Sequence, residues 1–63
     1  MNEKTTAQQQ PCILVVDDSE DLCTMLAQLL GRAGYQVVLA ADGQTALTQA
    51  KQYHPDLILM DLS

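Results

Sequence analysis

Cys12-Ile13-Leu14-Val15-Val16 runs into Asp17-Asp18-Ser19, and toward the other end of the chain Leu57-Ile58-Leu59-Met60 runs into Asp61-Leu62-Ser63. Neither apolar run alternates with polar residues. Each therefore predicts a strand buried on both faces, the habit of a parallel sheet lying under helices. Parallel strands point the same way, which brings both acidic ends to one edge of the sheet. That edge is where open α/β sheets bind ligands. Carboxylates gathered there repel one another unless a cation or a proton intervenes. A turn or a helix cap accounts for each aspartate alone, but not for two strands that end alike.

Between the two runs the periodicity changes. Ser19 is a good N-cap, and Glu20 and Asp21 place negative charge where a helix dipole favours it. Leu22, Met25, Leu26, Leu29, Leu30 and Ala33 follow the spacing of one helix face. Gly34 supplies a C-terminal stop, and Gly31 is a flaw inside the last turns. Tyr35 to Ala40 reads as a second strand. Asp42 caps a weaker helix from about Gly43 to Gln52, with Ala46, Leu47, Ala50 and Tyr53 on its apolar face. His54-Pro55 ends that helix, because the residue before proline is pushed out of the helical region. His54 itself reads as a solvated loop residue. The third strand is expected from about Asp56 to Met60. The order is β-α-β-α-β, and the short connections demand right-handed parallel crossovers.

Composition narrows the function. The 63 residues make one small domain at most, and a chain that size buries only about 60% of its unfolded surface. Eight acids against three bases give a net charge of -5, which repels nucleic acid and leaves no basic patch to override it. No apolar run approaches the ~20 residues that span a bilayer, and no signal peptide precedes the first strand. A cytoplasmic address is expected. Cys12 and Cys23 lack any Cys-x-x-Cys or Cys/His companion and read as small buried hydrophobes. Residues 1–11 are polar and are expected to form a disordered leader, with the domain proper over 12–63.

Four stretches follow one another at familiar separations: Ile-Leu-Val-Val-Asp-Asp at 13–18, Gly-Tyr-Gln-Val-Val-Leu-Ala-Ala-Asp-Gly at 34–43, Ala46-Leu47, and Pro-Asp-Leu-Ile-Leu-Met-Asp-Leu at 55–62. The chain resembles the receiver domain of bacterial two-component response regulators, of the chemotaxis-regulator type. The resemblance implies a flavodoxin-like half of a doubly wound parallel sheet, truncated after the third strand. It implies that Asp61 accepts a phosphoryl group from a sensor histidine kinase or phosphotransfer protein. It further implies that Mg2+ is held by Asp17, Asp18, Asp61 and the backbone carbonyl of Ser63. A hard cation wanting oxygen ligands suits that set. Such a domain is a phosphoacceptor, not a turnover enzyme.

The family pattern also has a Ser/Thr after a fourth strand and a Lys after a fifth, and neither falls within these 63 residues. The resemblance therefore implies a receiver fragment inactive as a switch. Two other readings compete. One is a half-domain without phosphate chemistry that self-associates, or pairs with another receiver, through an exposed third strand. The other is a Mg2+-dependent aspartyl-phosphate phosphatase of the haloacid-dehalogenase kind. That family wants Asp-x-Asp, and here Ser19 and Ser63 stand where the second aspartate belongs.

Overall fold

The computed structural model describes residues 10–60, so most of the expected leader and the last three positions lie outside the described residues. Three strands and two helices alternate: β1 (Cys12–Val16), α1 (Glu20–Arg32), β2 (Gln36–Ala40), α2 (Gly43–Tyr53) and β3 (Leu57–Met60). All three strands are parallel, in the order β2-β1-β3. That order begins the flavodoxin-like arrangement 2-1-3-4-5. The predicted β-α-β-α-β fold is what the chain adopts.

β1 is the centre, and all five of its residues are buried. Its pleat sends alternate side chains to opposite faces. Cys12, Leu14 and Val16 pack with Val38, Ala40 and Ala46 under α2, with Ala50 alongside. Ile13 and Val15 pack with Cys23 under α1, joined by Leu26, Leu30 and Val37. An unbroken apolar run is the signature of a strand that must satisfy two covers at once.

The helix ends are where the sequence placed them. Ser19 Oγ accepts from Leu22 N at 3.3 Å, and Asp42 Oδ1 accepts from Thr45 N at 2.7 Å. Past Arg32 the chain closes as a Schellman turn: Gly34 N donates to Gly31 O at 3.1 Å, and Tyr35 N to Leu30 O at 3.0 Å. Gly34 sits at φ +100, where a side chain would be strained. Tyr35 is used up by that turn, so β2 starts at Gln36, one residue later than expected. Gly31 does not end the helix early. His54 is exposed and leaves the α region, as a residue before proline should, but into the left-handed region at φ 50.

Two expectations about helix faces need correction. On α1, Cys23, Leu26 and Leu30 meet the sheet, whereas Met25 and Leu29 are 49% and 54% exposed. On α2 only the alanines pack, and Leu47 and Tyr53 are exposed. The reason is position. Both helices lie over β1 and β2, and neither lies over β3. Consequently all four residues of β3 are exposed, from 37% at Leu59 to 52% at Leu57.

β3 is held to β1 by its ladder and by Asp56, just before it. Asp56 N donates to Cys12 O at 2.7 Å, and Cys12 N donates back to Asp56 Oδ2 at 2.8 Å. The carboxylate stands in for the ladder partner that the start of β1 would otherwise lack. An unpaired N–H at such depth costs about 1–3 kcal/mol.

Candidate functional site

The site forms at the C-terminal edge of the strands, where β1 gives way to Asp17 and Asp18. Asp17 N extends the sheet by one bond, donating to Ala40 O at 3.1 Å. Its carboxylate then turns the chain: Oδ1 accepts from Ser19 N at 2.8 Å. This local bond lets the next residue leave the sheet and start α1. Asp17 is half-buried and Asp18 exposed. Val16, Asp17, Asp18, Ala41, Asp42, Gly43 and Met60 line a recess of about 210 Å³. Asp42 is engaged there as a cap, and its hydrogen bonds to Thr45, from the backbone first, hold its carboxyl below the usual value.

Apart from Asp56, the acids of the two helices and their caps and the bases lie toward opposite ends of the strands. Both helices run back against the strands, so their N-termini open at the acidic edge. Glu20 and Asp21 lie in the first turn of α1, while Arg32 and Lys51 lie in the last turns of their helices, at the far edge. The polar side chains among the residues lining the recess are those of Asp17, Asp18 and Asp42. Carboxylates of this kind suit hard cations such as Mg2+, Ca2+ or Mn2+ over softer metals.

Of the four expected metal-site positions, Asp17 and Asp18 are brought to this edge together. Asp61 and Ser63 lie outside the described residues. Among the described residues, no group of three or more His, Cys, Asp or Glu side chains is arranged to hold a metal ion. β3 reaches the same edge: Met60 pairs with Val16, one residue before Asp17.

Two participants escaped the sequence reading. Cys23, expected only to fill space, is buried and also donates from Sγ to the carbonyl of Asp17 at 3.4 Å. Burial pushes its thiol above the ordinary value of 9.0, and the neighbouring Asp17 charge adds to this. Asp56, expected as the first residue of β3, instead works from the opposite edge as the clamp on Cys12. Neither has a signal in local spacing. Cys12 and Cys23 are both free and lie on opposite faces of the sheet.

A parallel sheet in 2-1-3 order with an aspartate pair at the end of its central strand defines an open α/β fold, and comparison with known proteins identifies its family. The response regulator receiver domain matches residues 13–63. The chain belongs to that family. It is 50% identical over 50 residues to the alkaline phosphatase synthesis transcriptional regulatory protein PhoP of Bacillus subtilis, covering 79% of this chain and 21% of that one. It is 44% identical over 50 residues to the DNA-binding response regulator MtrA of Mycolicibacterium smegmatis, covering 79% and 22%. To the probable transcriptional regulator ycf27 of Porphyridium aerugineum it is 43% identical over 54 residues, covering 86% and 22%. The matched part is thus about a fifth of the length of these curated relatives. No solved structure matches the chain. No helix among the described residues is long and apolar enough to cross a membrane.

Proposed function

We propose that this chain is the phosphoacceptor part of a two-component relay, with Asp61 as the residue that takes the phosphoryl group. The observation that carries the reading is the shared edge. The Asp17-Asp18 pair closes β1, and β3 runs parallel beside it, its last residue Met60 opposite Val16. Asp61 follows Met60 directly in the sequence. The donor is a phosphohistidine on a sensor kinase or phosphotransfer protein. An Asp61 carboxylate oxygen forms a bond to phosphorus as the phosphorus–nitrogen bond breaks. The electron pair returns to the imidazole, which takes a proton from solvent. The product is an acyl phosphate.

Asp17 and Asp18, with Asp61 and the Ser63 carbonyl, would hold Mg2+. The cation supplies charge neutralisation for the acidic cluster and for the phosphoryl oxygens. Asp17, braced by Ser19 N and by Cys23, offers a carboxylate already oriented; Asp18 offers one in solvent. We read the domain as a signalling acceptor, not an enzyme. The test is labelling with a small acyl-phosphate donor in a version extended through the family's remaining strands. Label should appear only with Mg2+ and vanish in Asp61→Asn. Label retained in Asp61→Asn would remove Asp61 from the role.

A second reading is favoured by the exposure of all four β3 residues. In it the 63-residue polypeptide associates through that edge, where unpaired backbone groups and apolar side chains occur together.

A further inference from the structure

Asp56 sits at the edge opposite the acidic site, yet the geometry there bears on the site. A strand's register is ordinarily fixed by its hydrophobic pattern, because a slip of one residue turns its apolar set outward. β3 has no such safeguard. Leu57, Ile58, Leu59 and Met60 are apolar on both faces, no helix covers either face, and β1 is apolar throughout. Slipping β3 by one residue along β1 exchanges one set of leucines for an isoleucine and a methionine at little cost. It would, however, move the end of β3 by about 3.3 Å and reverse the face each side chain takes. On the phosphoacceptor reading the site depends on where β3 ends relative to Asp17, so such a move would displace it.

We infer that Asp56 is the positioning residue that selects the β1–β3 register and so sets where β3 ends, at Met60, relative to Asp17. Its two bonds to one residue, N to Cys12 O at 2.7 Å and Oδ2 from Cys12 N at 2.8 Å, can be made together at only one alignment. Cys12 is 5% exposed, so its N–H has little solvent to fall back on. With this alignment Ile13 pairs with Leu57 and Val16 with Met60. The clamp spans 44 residues of sequence, which no local turn could do. It acts on the site through the strand and does not touch a ligand.

The inference rests on the phosphoacceptor reading for its consequence, but not for its geometry. In the extended version used for the labelling test, with its sequence otherwise unchanged, NMR should detect a coupling between the Cys12 amide nitrogen and the Asp56 side-chain carboxyl carbon. Its absence overturns the proposal without any variant. Asp56→Ala should weaken or shift the contacts between Val16 and Met60 and raise the Mg2+ dissociation constant by about tenfold, the scale seen when support behind a metal ligand is lost. Asp56→Asn, whose amide oxygen still accepts from Cys12 N, should keep both the contacts and the affinity. Should Asp56→Ala fail to fold, Asp56→Glu, with its carboxylate one methylene farther out, replaces it under the same criteria. Unchanged contacts and affinity in the variant lacking the bond overturn the proposal, and so does their loss in Asp56→Asn. If wild type shows no Mg2+ response, the functional reading fails, while the coupling and the Val16–Met60 contacts still decide the register.

Discussion

The Cys23 thiol donates to the carbonyl of Asp17 across 3.4 Å, tying the first turn of α1 to the end of β1. It braces Asp17 from behind, while the Asp17 carboxylate is braced from in front by Ser19 N at 2.8 Å. The residue that opens the acidic edge is therefore fixed by neighbours on its own connection, before any ligand arrives.

That bond requires the protonated thiol, and burial first, then the Asp17 charge, raises the Cys23 value above 9.0. A raised value means the contribution is fully present below the ordinary thiol value and is lost as pH rises through the higher folded one. Alkylation of Cys23 near pH 8 should be at least about tenfold slower than in the urea-unfolded chain, because the thiolate is the nucleophile. Equal rates in both would mean the thiol is neither shielded nor neutral.

Metal binding should be centred on the aspartate pair. In the extended version, titration with Mg2+ should move the amide signals of Asp17 and Asp18, and Asp18→Ala should weaken binding by about tenfold or more. Shifts of equal size at Glu20 and Asp42 would indicate diffuse attraction of cations to an acidic edge, not a site.

Asp42 offers a pH-dependent test of the second helix. Its value is lowered by the hydrogen bonds to Thr45, so its capping contribution is present above the unfolded carboxyl value and is lost as pH falls through the lower folded one. Acidification should detach the Thr45 amide and fray α2 from its start, observable as faster hydrogen exchange at Gly43 to Ala46. Asp42→Asn should cap without that pH dependence, and Asp42→Ala should fray at every pH. A first turn indifferent to all three changes would contradict the cap.

The 63-residue polypeptide should not behave as a stable monomer. Leu57 to Met60 are each 37–52% exposed, and pairing their edge satisfies backbone groups while burying apolar surface. Light scattering should find oligomers or aggregates. Changing Ile58 and Met60 to Lys, which lie on the α2 face, should raise solubility without producing a cooperative fold. A sharp, reversible and concentration-independent melt of a monomer would overturn this.

Much of the architecture was legible because its causes are local. Unalternating runs at Cys12–Val16 and Leu57–Met60 made strands, of which only the first is covered on both faces, Ser19 and Asp42 began helices, and Gly34 ended one. Strand polarity then put Asp17 and Asp18 on the ligand-binding edge. Each of these rests on backbone geometry within a few residues, which neighbours in sequence suffice to impose.

Tertiary structure decided the rest. The apolar stripe of α1 was readable, but which half of it meets the sheet was not: Cys23, Leu26 and Leu30 are covered and Met25 and Leu29 are left out. The fold made that choice by seating the helix over β1 and β2. The same seating exposed β3, whose composition alone foretold burial on both faces. The Asp56 clamp on Cys12 and the Cys23 bond to Asp17 were equally silent in the sequence. Periodicity records which side of an element is apolar, but burial and register depend on which distant segment arrives to face it, and only packing of the whole chain determines that.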